Sequence, residues 1–231
     1  MNRTEQFLEK YKELENAAVG LYGFAEDGKA IANLTEMPEF RNIRMELSYC
    51  REVRNLLQHR VRLGSEYAVE PSEAMIQLLN DTVEKVKNPL RCRDIAVPCS
   101  KLLCSRPEAF VLPAMKEMRQ RGFTHLPIIE GGKVAGIFSE SRVFFYCTDH
   151  EAVGIPQDLR FEDIRSYLSF DLHHSEIYAW LPWDAFVSEA ESLYEDAYMK
   201  GKRLGMYFLT QNGKPDEKLL GIVTPNDILG N

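Results

Sequence analysis

The chain has 231 residues, 45% of them hydrophobic and 27% charged, with a formal net charge of -7. Such a length suits one large domain or two small ones, and such a composition excludes a collagen-like, disulfide-stapled or wholly disordered chain. The longest uninterrupted apolar run, Ala17–Ala25, has nine residues including two glycines, against about 20 for a bilayer span.

No membrane association is therefore expected. Charged helical sequence follows Met1 directly, without an apolar signal region, so a cytoplasmic location is expected. The five cysteines (Cys50, Cys92, Cys99, Cys104, Cys147) form no C-x-x-C pair and read as reduced thiols, with no metal site expected.

The first 89 residues carry helical periodicity alone. Phe7, Tyr11, Leu14, Ala18 and Leu21 form one stripe. Ile43, Leu47, Cys50, Arg54, Leu57 and Val61 form a second, and Met75, Leu79, Thr82 and Val86 a third. Asp27-Gly28 separates the first helix from the second, Pro38 lies near the second's start and Gly64 is placed to end it. Ser72 is a candidate N-cap for the third, which Asn88-Pro89 stops. A bundle of three or more helices is expected over 1–89.

Charge is uneven along this half. Residues 41–62 hold six arginines (Arg41, Arg44, Arg51, Arg54, Arg60, Arg62) against Glu46 and Glu52, net +4, whereas 1–40 are net -4 and 63–89 net -3. The cluster reads either as a solvated helix face or as a surface for phosphate, which the planar guanidinium suits. The overall negative charge argues against DNA as a partner.

The second helix contains Arg54-Asn55-Leu56-Leu57-Gln58-His59. R-N-x-x-x-H within a small helical bundle resembles the HEPN domains, whose members are often metal-independent ribonucleases or inactive relatives. The resemblance implies that His59 serves proton transfer, that Arg54 stabilises phosphorane charge, that Asn55 orients them, and that RNA is a candidate partner. On an ideal helix Asn55 and His59 lie about 40° apart, but Arg54 and His59 about 140° apart. One helix cannot easily aim both at one phosphate, and a homodimer would supply the second copy. The alternative is a polar cluster in which Arg54 takes Glu52 or Glu46 as counter-ion and catalyses nothing.

From about Arg91 helical stretches alternate with short β-rich runs. A helix near 112–121 precedes His125–Ser139, with Gly131-Gly132 as a hairpin turn. A helix near 184–200 precedes Gly205–Thr224, with a loop at Asn212-Gly213. Gly136 and Gly221 are then equivalent in two copies of one helix–strand–strand unit, stacked about a pseudo-two-fold axis. Residues 146–183 exceed an ordinary connection. The adjacent His173-His174 within them point to opposite sides of an extended chain and do not suit a shared metal, while Trp180 and Trp183 read as core or contact surface.

Leu126-Pro127-Ile128-Ile129 followed by Gly136-Ile137-Phe138-Ser139, and above all Gly221-Ile222-Val223-Thr224-Pro225-Asn226-Asp227, resemble the CBS repeat, whose G-h-h-[TS]-x-x-D ending the second segment matches. Paired repeats form a Bateman module. The resemblance implies an adenosine ligand: AMP, ADP or ATP, or S-adenosylmethionine. Thr224 and Asp227 would hold the phosphate side and ribose hydroxyls, with Gly221 in the motif and Met206 and Tyr207 beside the adenine. Thr224 and Asp227 also suit the start of a helix. In the first repeat Ser139 stands for Thr224, and Arg142 replaces the Asp. Arg cannot accept from ribose hydroxyls, so it either pairs with a nucleotide phosphate or is structural, and one adenosine site is expected rather than two.

The expected fold class is thus α + α/β: an N-terminal HEPN-like helical bundle (1–89) followed by a tandem CBS-domain pair (90–231, repeats about 91–145 and 160–231). The expected protein is a homodimeric regulator that senses an adenine nucleotide, with a nucleotide-gated ribonuclease as the alternative.

Overall fold

The computed structural model describes residues 2–59, 67, 69–172 and 176–230, except for the side chains of His59 and Leu172. Val61, Gly64, His173 and His174 lie outside the described residues. The chain divides into two compact units, one of Met1–Leu90 with Phe186–Glu189, the other of Arg91–Ala185 with Ala190–Asn231. No helix among the described residues is long and apolar enough to cross a membrane.

The first unit is helical. Helix α1 (Arg3–Tyr22) starts at a reciprocal cap, with Asn2 Oδ1 accepting from the Glu5 N–H and the Glu5 carboxylate accepting from the Asn2 N–H. It is followed by α2 (Ala30–Glu36), a 3-10 segment (Pro38–Ile43), α3 (Arg44–His59) and α4 (Glu73–Lys87). The short α2 was not expected: seven residues carry too little periodicity to show. Pro38 opens the 3-10 segment ahead of α3 rather than α3 itself. The Ser72 hydroxyl accepts from the Met75 N–H, as its position predicts.

The stripes become the core. Phe7, Tyr11, Leu14 and Ala18 of α1 meet Leu47, Cys50 and Leu57 of α3, and Met75, Leu79 and Val86 of α4. Leu21 is the exception: it is exposed in the last turn of α1, next to Tyr22 and the Gly23 cap.

The second unit mixes helix and sheet. In chain order it holds α5 (Cys92–Ile95), β1 (Val97–Pro98), α6 (Val111–Arg121), β2 (His125–Glu130), β3 (Lys133–Ser139), α7 (Glu140–Asp149), β4 (Glu176–Pro182), most of α8 (Val187–Met199), β5 (Arg203–Thr210), β6 (Gly221–Val223) and α9 (Pro225–Leu229). Strands β2 and β3 form an antiparallel hairpin, turned by Gly131-Gly132 in the positive-φ region. The second sheet runs β1-β6-β5-β4, with β4 parallel to β5 and the other neighbours antiparallel.

Strand β4 lies within 146–183, a stretch read from the sequence as too long for an ordinary connection but given no strand. Its burial pattern lacks period-two alternation, so the usual strand signal is absent.

Distant stretches of the second unit interlock. Strand β1 pairs with β6, Val97 opposite Ile222. Val134 and Ile137 of β3 share an apolar cluster with Met206 and Phe208 of β5 and Ile222 of β6. The equivalent glycines serve this packing: a Cβ on Gly221 would sit 2.8 Å from Val97 O, and one on Gly136 2.7 Å from Leu168 O.

Candidate functional site

A cleft of about 500 Å³ opens in the second unit, within the size range of small-molecule sites. Strand β1 and the following 3-10 turn bring Val97, Lys101, Leu102 and Leu103. The α6–β2 corner brings Phe123, Thr124 and His125, and β2 adds Pro127. The second repeat supplies Leu204, Gly205 and Met206 from β5, Ile222 from β6, and Thr224, Asn226 and Asp227 from the start of α9. The walls are thus largely apolar. Hydroxyls, one imidazole, one carboxylate and one exposed ammonium, on Lys101, converge on them.

Thr224 and Asp227 are tied together at the cleft edge. The Thr224 N–H and hydroxyl both donate to Asp227 Oδ2, each at 2.7 Å. The helix-start role read from the sequence is therefore present, and it fixes the carboxylate where it lines the cleft.

Met206 is buried and lines the cleft as well. Tyr207, its neighbour on the strand, faces the opposite side: it is fully buried and donates to Ala190 O at 2.8 Å. Burial pushes its hydroxyl well above the usual phenol range. Gly221 serves the β1–β6 approach and is not among the cleft-lining residues.

Ser139 and Arg142 do not line the cleft either. Ser139 is buried, with its hydroxyl 2.9 Å from that of Ser141. Arg142 is only 2% exposed and lies 5.4 Å from the Phe145 ring centroid. Desolvation pulls its guanidinium below the ordinary range, while the nearby Tyr178 and Glu176 hold it up.

Glu176 is the hub of that cluster. Its Oε2 accepts from the Tyr178 hydroxyl at 2.8 Å and lies 3.1 Å from His125 Nε2, and Oε1 lies 3.8 Å from Arg203. Burial first, then Glu176, pushes the Tyr178 phenol far above its usual range. The ring packs against Gly205, where a Cβ would come within 2.7 Å of Tyr178 Cζ.

His125 pairs with Ser139 at the end of the β2–β3 hairpin, three residues before Arg142. Around Arg142 the chain has packed its own Glu176 and Tyr178, whereas the place around Asp227 is open.

His125 joins the two places. A carboxylate only accepts, so Nε2–H donates to Glu176, and Nδ1 lies 2.8 Å from the Thr124 hydroxyl. Lys101, Thr124 and His125 were not singled out from the sequence. No motif marks them, and only the pairing of β1 with β6 carries Lys101 to Asp227.

In the helical unit Arg54 and Asn55 are in contact, Arg54 Nη1 donating to Asn55 Oδ1 at 3.2 Å. The counter-ion of Arg54 is Glu15 of α1, at 3.7 Å, rather than Glu52 or Glu46, and the guanidinium lies 5.6 Å from the Tyr11 ring centroid. The His59 side chain lies outside the described residues.

No curated protein matches the chain. Several solved structures resemble part of the chain at low identity. Hypoxic Response Protein I, crystallised with two coordinated zinc ions, is 16% identical over 61% of this chain and 97% of its own, with a TM-score of 0.42. CBSX2 in complex with AMP is 13% identical over 61% and 94%, at 0.43. CbpB in complex with c-di-AMP is 14% identical over 61% and 82%, at 0.44. The model of the CBS domain matches residues 92–149, from α5 to the end of α7. The second unit of this chain therefore contains a CBS domain.

Proposed function

We propose that the chain is a nucleotide-sensing regulatory protein. The cleft takes an adenine nucleotide (AMP, ADP or ATP) or S-adenosylmethionine, and its occupancy modulates the helical unit or a partner. The observation that carries this reading is the convergence of Asp227, Thr224, Thr124, His125 and Lys101 on one apolar-walled cleft of about 500 Å³.

Each group has a task matched to its chemistry. The Asp227 carboxylate accepts from the ribose hydroxyls, while Lys101 faces anionic oxygens. Met206, Val97 and Ile222 give the adenine a polarisable apolar bed. The place around Arg142 is filled by Tyr178 and Glu176, which supports one ligand per chain. The alternative, a ribonuclease gated by the nucleotide, would draw on Arg54, whose guanidinium contacts Glu15, Tyr11 and Asn55.

Titration calorimetry with each nucleotide and with S-adenosylmethionine tests the proposal. One site per chain is expected. Asp227→Asn keeps an acceptor for the Thr224 N–H but removes the charge, and Lys101→Ala removes the cation. Each should weaken binding about tenfold or more, on the scale of one charge-assisted hydrogen bond. No heat and no thermal stabilisation with any of these ligands would refute the reading.

A further inference from the structure

The polar groups of the cleft are few, and most are already committed. Among the described residues that line it, Lys101 carries the one permanent positive charge and Asp227 the one carboxylate. The Thr224 hydroxyl donates to Asp227. His125 turns its Nε2–H to Glu176, and its Nδ1 is left to accept from the Thr124 hydroxyl at 2.8 Å. Two side-chain donors remain, the Lys101 ammonium and the amide of Asn226, both on exposed residues.

This inventory matches one phosphate group. A phosphate monoester carries about −1.5 to −2 charges near neutral pH and offers three acceptor oxygens. The Lys101 ammonium meets it as a point charge and the Asn226 amide as a neutral donor. A second or third phosphoryl group adds charge for which the cleft lining has no further cation, and the Asp227 carboxylate repels it. Reaching out into water lessens the repulsion but gains no contact. The chain as a whole is net -7, a balance that does not draw in a polyanion.

We propose that phosphate count decides which nucleotide the cleft takes: AMP is bound in preference to ADP and ATP, and Lys101 is the residue that sets this choice. The inference rests on the reading of the cleft as an adenine-nucleotide site and adds the selection among nucleotides. Specificity of this kind comes as much from the cations that are missing as from the one that is present.

Titration calorimetry on the full chain with adenosine, AMP, ADP and ATP tests it, in EDTA so that no divalent ion accompanies the longer phosphate chains. AMP should bind about fivefold or more tightly than ATP, on the scale of one exposed charge contact, with ADP between them. AMP should also exceed adenosine in the wild type and equal it in Lys101→Ala. Thr124→Lys, at an exposed position of the lining, supplies a second cation and should reduce the preference for AMP over ATP at least about twofold. ATP bound as tightly as AMP, an advantage of AMP over adenosine that survives Lys101→Ala, or an unchanged preference in a Thr124→Lys chain of wild-type circular dichroism would each overturn the inference and leave the adenine site standing. No binding of any of the four compounds would overturn it together with the reading it rests on.

Discussion

Arg142 is among the largest fully buried side chains of the described residues. A buried charge is tolerated only with partners, here Glu176 and Tyr178. Arg142→Met removes the cation and leaves the carboxylate in a poor environment. Chemical denaturation should show a loss of about 3–5 kcal/mol. Glu176→Gln made together with Arg142→Met should cost less than Arg142→Met alone, since no unpaired charge then remains. Additive losses in that double-mutant cycle would mean that the two do not interact.

A second residue-scale expectation concerns acid. Glu217 accepts from the Asn212 backbone N–H and side-chain amide, each at 2.7 Å, and these bonds lower its carboxyl to about 2. A depressed carboxyl contributes stability above its unfolded pKa of about 4.3 and loses it as pH falls towards the folded value. The melting temperature of Glu217→Gln should thus trail the wild type at pH 6 and converge on it near pH 2. A gap that stays constant with pH would contradict the assignment.

At this scale the sequence discloses residues that sit in a motif. Thr224 and Asp227 lie in a short run whose order mirrors their geometry. Lys101, Thr124 and His125 have no such local order, since a strand pairing across the chain places them. Tyr207 shows the limit of adjacency: neighbours on a strand face opposite ways, so its closeness to Met206 in sequence puts it on the far side of the sheet.

Among the elements, the helices of the first unit follow from periodicity and caps, because both are local signals. Ser72→Ala should cost about 1 kcal/mol by removing the α4 cap. Leu79→Ala, in the fully buried middle of the same helix, should cost about 2–5 kcal/mol. Urea titrations followed at 222 nm compare them, and a Ser72 effect equal to that of Leu79 would be inconsistent with this order. Strand β4 escaped the sequence reading for the converse reason. It is a mostly half-buried parallel strand without alternation, and its partner β5 begins more than twenty residues later. What defines it is the neighbour it pairs with, which no window along the chain contains.

For the molecule as a whole, the two units offer separate spectroscopic reporters. Both tryptophans, Trp180 and Trp183, lie in the second unit. Indole fluorescence therefore follows that unit, while far-ultraviolet circular dichroism follows all the helices. A ligand bound at 100 times its dissociation constant stabilises its host by about 2.7 kcal/mol. An adenine nucleotide should then raise the fluorescence melting midpoint by several degrees and split the circular dichroism melt into two steps. Coincident midpoints by both probes at every ligand concentration would show that the chain unfolds in a single step.

The pairing of Val97 with Ile222 also sets an order of events at the ribosome. About 125 residues separate the two partners, so the sheet that walls the cleft cannot close until Ile222 has been made. The helical unit, built almost entirely from the first ninety residues, has its core available long before. Local contacts form fast and distant ones slowly, and domains fold in turn as they emerge. The nascent chain is thus a folded helical unit trailing a first repeat whose strand edge waits for its partner. The proposed nucleotide therefore has no complete cleft to enter until both strands have been made.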